Sequence, residues 1–97
     1  ELKNYFTKEE ALMLISLFTS TYLYNFSSAK EKLISDARAA IYYESVDDVY
    51  NTDGEKLISK LEKLTEFQAF TVLSMIEEVF FQGKVSDEEM KKIFNID

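Results

Sequence analysis

The strongest constraint on the fold of this chain is a helix-capping pattern that occurs five times at the start of an apolar-periodic run. In each case a Ser or Thr is followed three residues later by a Glu or Gln, just before apolar residues with helical spacing. In such a capping box the hydroxyl accepts the amide of the third helical residue, and the longer side chain accepts the amide of the cap. The pairs are Thr7–Glu10, Ser28–Glu31, Thr52–Glu55, Thr65–Gln68 and Ser86–Glu89. The pattern therefore predicts five helices.

The composition favours the same fold class. The 97 residues include two glycines and no proline. A β-rich fold of this length needs several tight turns, which those two residue types usually supply. Apolar residues make up 46% of the chain, enough for one compact core despite the net charge of -7. We therefore predict an all-α fold, a compact bundle of four main helices plus a short C-terminal fifth helix, in a single domain over residues 1–97.

Apolar periodicity predicts where the helices lie. Their expected ranges are about 8–24, 29–44, 53–64, 66–82 and 87–95. The first and fourth are apolar on two sides, which is typical of helices at the centre of a bundle or in an oligomer interface. The second and third have narrower apolar stripes, which place Lys32 and Lys60 at the surface. In the short fifth helix, Phe94 is expected to anchor the helix in the core.

One long uncharged run has the length of a membrane span. No residue from Ala11 to Ala29 is charged. The run contains seven Ser, Thr or Asn residues, whereas a spanning helix is apolar almost throughout. We interpret it as a buried helix and predict no membrane insertion. Because the sequence shows no signal-peptide pattern and contains no cysteine, it also predicts a cytoplasmic location.

The inventory of reactive side chains disfavours catalysis. The chain has no Cys and no His, so it lacks thiolate chemistry and the commonest general base and metal ligand. A Ser nucleophile needs an activating base, and two separate glycines cannot form a Gly-rich phosphate loop. The sequence therefore predicts no catalytic residue, no cofactor and no metal site.

Two segments resemble helix–loop–helix calcium sites in outline. Such a loop needs oxygen ligands at positions 1, 3 and 5, Gly at position 6 and Glu at position 12. With Gly54 at position 6, Val49 takes position 1 and Lys60 takes position 12. With Gly83 at position 6, Phe80 takes position 3. Because carboxylates are missing where the ion needs them, neither segment is predicted to bind calcium.

The connection between the second and third helices is acidic and aromatic. Residues 44–55 contain five acids and no cation, with Tyr42 and Tyr43 directly before them and Tyr50 among them. Aromatic side chains among carboxylates are typical of protein-binding hot spots; alternatively, tyrosine lies at the edge of a core with its hydroxyl in water. Tyr42 falls opposite the core stripe, so we expect it to be exposed. The candidate partner-binding residues are Tyr42, Tyr43, Glu44, Asp47, Asp48, Tyr50 and Asp53.

The sign of the charge favours a basic protein as partner. Dispersed cations and a net charge of -7 disfavour direct contact with nucleic acid. The leading hypothesis is a non-enzymatic interaction module, in the form of an inhibitor, an immunity-type protein or a nucleic-acid mimic. The run Ile41-Tyr42-Tyr43 beside acids resembles the toxin-binding segment of colicin immunity proteins, which are also small acidic helical bundles. The resemblance covers only those few residues, and their spacing along the chain differs from that in the immunity proteins. It implies that the two tyrosines bind a protein partner.

Two alternatives remain open. Phe67, Phe70 and Phe81 point away from the predicted core face of the fourth helix. They are either buried under the fifth helix or under Tyr5 and Phe6, or they form a homodimer contact, because patches this apolar are seldom left bare. Helices with two apolar sides could also enclose a pocket, which would make the chain a carrier of a small apolar ligand.

Overall fold

The computed structural model describes residues 4–16, 28–82, 88 and 94–95, and only the backbone of residues 79–82. Over those residues the chain forms five α-helices and no strand, so the predicted all-α fold is confirmed. The helices are α1 (Lys8–Ser16), α2 (Ala29–Glu44), α3 (Val46–Val49), α4 (Gly54–Glu62) and α5 (Glu66–Gln82).

Parts of the predicted pattern lie outside the described residues. These are the second half of the predicted first helix, the capping box Ser86–Glu89 and most of the predicted C-terminal helix. Of that last helix, Glu88 is helical, and residues 94–95 form a turn. None of the described helices is long and apolar enough to cross a membrane.

Two of the predicted capping boxes form with both of their hydrogen bonds. At the start of α1, the amide of Thr7 donates to Glu10 Oε1 over 2.8 Å, and the amide of Glu10 donates to Thr7 Oγ1 over 3.1 Å. At the start of α5, the amide of Thr65 donates to Gln68 Oε1 over 2.9 Å, and the amide of Gln68 donates to Thr65 Oγ1 over 3.1 Å. Helix starts at these two sites therefore follow from residues three positions apart.

The N-terminus of α2 is capped from two directions. Ser28 Oγ accepts the amide of Glu31 at 3.0 Å, as predicted. The carboxylate of Glu66, in the first turn of α5, accepts the amide of Ala29 at 2.9 Å and that of Lys30 at 3.2 Å. These hydrogen bonds, above all the one from Ala29, hold the pKa of the Glu66 carboxyl below its usual value. One carboxylate thus joins the starts of two helices.

The predicted capping box Thr52–Glu55 is wrong by one residue. Asp53 is the N-cap of α4, because its Oδ1 accepts the amide of Lys56 at 3.1 Å. Thr52 Oγ1 instead lies 3.3 Å from Met13 Sδ and donates to it. Asp and Thr both cap helices well, so the local pattern could not choose between adjacent residues of these types.

The acidic connection between α2 and α4 contains a short helix and several backbone hydrogen bonds. Helix α2 ends at Glu44 and is capped by Ser45, which has left-handed backbone angles of φ 50° and ψ 40° and donates its amide to the carbonyls of Ala40 and Ile41. The chain then forms the four-residue helix α3. After it, the amide of Thr52 donates to the carbonyl of Asp47 over 2.8 Å. These backbone hydrogen bonds fix the connection relative to α2 and to the start of α4.

The core lies where the predicted apolar stripes meet. Helix α2 packs against α4 and α5, and α1 packs against α5. The Cα radius of gyration is 12.3 Å, close to the value of about 12.5 Å typical of a compact chain of this length. The most deeply buried apolar side chains are Phe6, Ala11, Met13, Leu14, Ala29, Ala37, Leu57, Leu61, Ala69, Val72, Ile76 and Phe94.

Two lysines predicted at the surface are withdrawn from solvent. Lys32 is buried, and its Nζ lies 2.7 Å from Asp36 Oδ2. Lys60 Nζ lies 2.6 Å from Oε1 of the buried Glu10, an oxygen that also accepts the amide of Thr7. The aliphatic stem of lysine packs well in a core when its ammonium group is paired. The stripe pattern missed both residues because it registers charge and not the length of the stem.

The N-terminal aromatic residues pack into the bundle. Phe6 is buried, and its ring meets that of Phe94 edge to face, with centroids 6.4 Å apart. The expected anchoring of Phe94 in the core is confirmed. The Tyr5 hydroxyl donates to the Lys60 carbonyl at 2.7 Å, and burial together with the negative charge of Glu10 raises its pKa. Tyr5 and Phe6 are therefore engaged with α4 and the core.

Candidate protein-binding surface

Two tyrosines on the last turn of α2 are almost fully exposed. Tyr42 is 80% exposed and Tyr43 is 79% exposed, so the predicted exposure of Tyr42 is confirmed. Neighbouring residues of a helix point about 100° apart. Their joint exposure therefore means that this end of α2 projects from the bundle on two sides. The two rings meet edge to face, with centroids 4.8 Å apart and planes at 85°.

The adjoining residues extend this exposed region. Val49, at the end of α3, is 71% exposed. Glu44 and Asp48 are also exposed. Hereafter the tyrosine surface means Tyr42, Tyr43, Glu44, Asp48 and Val49. It combines three apolar or aromatic side chains with two carboxylates on two consecutive helices.

Three other predicted partner-binding residues have structural roles. Asp47 is half-buried, its carbonyl accepts the amide of Thr52, and its side chain lies close to Gly54. Tyr50 is half-buried and packs against the core. Asp53 is exposed, but its carboxylate caps α4. A contact between any of these residues and a partner stays a prediction.

Helices α2 and α4 run antiparallel beside the tyrosine surface. The side chain of Ile41, near the end of α2, lies against Gly54 at the start of α4. Three residues earlier in α2, Arg38 Nη2 lies 3.0 Å from Oε2 of Glu62, the last residue of α4. The two helices therefore place an exposed ion pair at one end of their contact and the tyrosines at the other.

A groove of about 500 Å³ lies between α2 and α4. Ile41 and Ile58 contribute its apolar lining, and Tyr42 lines it next to the tyrosine surface. Glu55 and Ser59 line it from α4. The Arg38–Glu62 ion pair lines it as well. The groove thus offers an aromatic ring, aliphatic surface and exposed carboxylate side by side.

The electrostatic character of this region is set by unbalanced acids. Residues 42–55 contain no Lys or Arg, while the nearby Arg38 is already paired with Glu62. Grouped charges of one sign create a field that attracts ligands of the opposite sign. The tyrosine surface therefore presents negative charge together with exposed aromatic rings.

A second aromatic patch lies near the other end of α2. Phe67 is 80% exposed and Phe70 is 51% exposed. The expectation that Tyr5 and Phe6 bury these two side chains is therefore wrong. Residues three apart share one face of a helix, and we call the pair the phenylalanine patch. Its neighbour Glu66 binds the start of α2, which is about 20 Å along the helix from Tyr42. The side chain of Phe81 lies outside the described residues.

Within the described residues there is no group of three or more Asp or Glu that could hold a metal ion. Among them, no buried side-chain nitrogen or oxygen lacks a hydrogen-bond partner.

Comparison of the chain with protein-family models, curated proteins and solved structures finds no match. Support for a function therefore comes from the geometry and charge of the chain's own surface.

Sequence reasoning missed three features of this region. Val49 could have been noticed, because no predicted core stripe includes this apolar residue. The ion pair of Arg38 with Glu62 joins residues 24 positions apart, and no local pattern indicates it. The groove depends on the antiparallel packing of α2 and α4, which the sequence does not specify.

Proposed function

We propose that the chain is a non-enzymatic interaction protein that binds a basic partner protein through the tyrosine surface, in the cytoplasm. The observation that carries this proposal is the exposure of Tyr42 and Tyr43 in a segment, residues 42–55, that contains five acids and no Lys or Arg. Large aromatic side chains are enriched among the residues that dominate binding energies, and their burial by a partner removes much apolar area from water.

The arrangement suits binding with little reorganisation. The tyrosines belong to a regular helix, and their rings already contact one another. Side chains that are ordered before binding lose less entropy when the complex forms. The surrounding carboxylates accelerate encounter with a basic surface and reject acidic ones. Such a surface, laid over a basic nucleic-acid site of the partner, excludes nucleic acid from it, which is the action of an inhibitor or a nucleic-acid mimic.

Affinity capture from the chain's own cells tests the proposal. Three baits are compared: the unchanged chain, a Tyr42→Ala/Tyr43→Ala variant and a Phe67→Ala/Phe70→Ala control. We expect a basic protein, identified by mass spectrometry, to be retained by the unchanged chain and by the control but lost with the tyrosine variant. Its retention is expected to weaken as salt screens the charges. If every basic protein is still retained after Asp48→Asn is added to the tyrosine variant, the proposal fails.

A homo-oligomerising role is the second candidate, and the exposed phenylalanine patch favours it. Two copies that pair through Phe67 and Phe70 would remove these rings from water. Sedimentation at micromolar concentration tests this role, with Phe67→Ser/Phe70→Ser as the variant that should remain monomeric. A strictly monomeric unchanged chain contradicts it. Carriage of a small apolar ligand stays a prediction, which extraction and mass spectrometry of the purified chain would test.

A further inference from the structure

We infer that the groove between α2 and α4 receives an arginine side chain of the basic partner, an inference that rests on the proposed function. The groove opens beside the tyrosine surface, because Tyr42 belongs to both. A partner that covers the two tyrosines therefore also covers this end of the groove. The groove volume of about 500 Å³ lies within the range of about 300–1,000 Å³ typical of sites that hold small ligands.

The lining of the groove matches the parts of an arginine side chain. Ile41 and Ile58 offer aliphatic surface for its methylene groups. The guanidinium group is planar and weakly hydrated, so it stacks on aromatic rings such as that of Tyr42. The exposed carboxylate of Glu55 can accept two parallel N–H bonds from it. Lysine shares the charge but has neither the planar face nor the paired donors.

The groove already contains one guanidinium–carboxylate pair. Arg38 Nη2 lies 3.0 Å from Glu62 Oε2, and both side chains are more than half exposed. Such exposed pairs are weak and exchange with solvent or other ions. Arg38 therefore competes with an incoming arginine for Glu62 and repels it through like charge. Removal of Arg38 should consequently strengthen the binding of an arginine ligand, an increase that a general loss of structure would not produce.

NMR titration of the full chain with a blocked arginine, N-acetyl-arginine methylamide, tests the inference directly. We expect saturable shifts of the Ile41 and Ile58 methyl resonances and of the Tyr42 ring resonances. The matched neutral ligand is N-acetyl-citrulline methylamide, which keeps the shape but has no charge and should leave these resonances in place. The corresponding lysine compound should bind more weakly than the arginine compound.

Four single variants then assign the binding to the groove. Glu55→Gln should weaken binding of the arginine compound about two- to fivefold, and Arg38→Gln should strengthen it by a similar factor, the range typical of one exposed charge pair. Glu9→Gln and Lys56→Gln change the net charge equally but do not line the groove, so their effects should be smaller. All four residues are wholly or partly exposed, and circular dichroism checks that each variant folds.

The outcomes separate this inference from the proposed function. Shifts at Tyr42 without shifts at Ile41 and Ile58, no saturable shifts at all, or equal binding of the citrulline compound would overturn the groove as an arginine site. Weaker binding by Arg38→Gln would also overturn it. If a captured basic partner depends on the tyrosines but not on Glu55 or Arg38, the proposed function stands and the groove inference fails alone.

Discussion

Exposed aromatic side chains lie near both ends of α2, those of Tyr42 and Tyr43 on α2 itself and those of Phe67 and Phe70 on α5, in contrasting surroundings. At the C-terminal end, Tyr42 and Tyr43 lie beside the exposed acids Glu44 and Asp48, and the tyrosine surface contains no cation. Near its N-terminal end, Phe67 and Phe70 follow Glu66, whose carboxylate is occupied by the amides of α2. The first patch is therefore aromatic and negatively charged, whereas the second is aromatic with its adjacent charge already used by the fold.

This contrast indicates what each patch can bind. Two copies of the tyrosine surface repel one another because both are acidic, so the surface selects a partner of opposite charge. The phenylalanine patch has no such exclusion, since burial of its rings depends on apolar area and not on charge. The tyrosine surface is accordingly the better candidate for a different protein, and the phenylalanine patch is the better candidate for a second copy.

The largest expected effect is the loss of partner binding when the tyrosines are removed. Truncation of an aromatic hot-spot residue costs about 2 kcal/mol or more, which is about 30-fold in affinity per residue. Tyr42→Ala and Tyr43→Ala should each show this loss in titration calorimetry with the captured partner. Stability should change by less than about 0.5 kcal/mol, as is usual for exposed positions.

The phenylalanine variant is the control for that result. Phe67→Ala/Phe70→Ala removes two exposed aromatic rings from α5, near the other end of α2, and should leave the affinity for the partner unchanged. Equal losses in the two double variants would remove the distinction between the patches.

The next effect separates acids that serve the fold from acids that serve the surface. Asp53 caps α4, so Asp53→Ala should lower the free energy of unfolding by about 1 kcal/mol, within the range of about 0.5–2 kcal/mol for lost caps. Asp48→Ala removes an acid of the tyrosine surface and should leave stability nearly unchanged while weakening a basic partner. Urea unfolding of both variants measures the difference. A cost for Asp48 equal to that for Asp53 would assign the surface acids to the fold.

A smaller, pH-dependent effect is expected at Glu66. Its pKa is lowered in the fold, chiefly by the hydrogen bond from the Ala29 amide, relative to an ordinary value of 4.5. A lowered pKa contributes stability that is present above the ordinary value and is lost as the pH falls through the folded value. Glu66→Gln lacks this contribution, so its difference in unfolding free energy from the unchanged chain should shrink as the pH falls below 4.5.

Urea unfolding at a series of pH values measures that difference. The same series with Glu55→Gln is the control. Glu55 is also an exposed glutamate in the first turn of a helix, but it does not cap a second helix as Glu66 does. A difference for Glu66→Gln that stays constant from pH 7 to pH 3 would contradict the role of its charge at the start of α2.

The features that the sequence predicted correctly are those made by residues close together in the chain. The boxes Thr7–Glu10 and Thr65–Gln68 need only residues three apart, so the local pattern contains all the information they require. The exposure of Tyr42 likewise follows from its place opposite the apolar stripe of one helix.

The features that it missed join distant residues or depend on an unusual backbone. Lys60 binds Glu10 across 50 positions, and Glu66 reaches Ala29 across 37. Such contacts depend on how the helices pack, which no local pattern specifies. The end of α2 agrees with the predicted range, but the helix α3 after it was not predicted, because a serine, not a glycine, adopts the left-handed conformation between the two helices. The groove has the same origin, since it exists only where α2 and α4 lie side by side.

That serine gives the smallest predicted effect. Left-handed angles cost a residue with a side chain about 1–2 kcal/mol, and glycine avoids this cost while losing about 0.5–1 kcal/mol of chain entropy. The Ser45 hydroxyl makes no capping bond to α3, so Ser45→Gly should raise the free energy of unfolding by about 0.5 kcal/mol. Ser45→Ala keeps the Cβ and should bring no gain. Glycine readily adopts the same left-handed angles, so α2 and α3 should keep their relative orientation. Partner affinity should therefore be unchanged in the glycine variant. If Ser45→Gly is less stable than Ser45→Ala, the left-handed turn does not form in solution, and the tyrosine surface loses the junction that brings its two helices together.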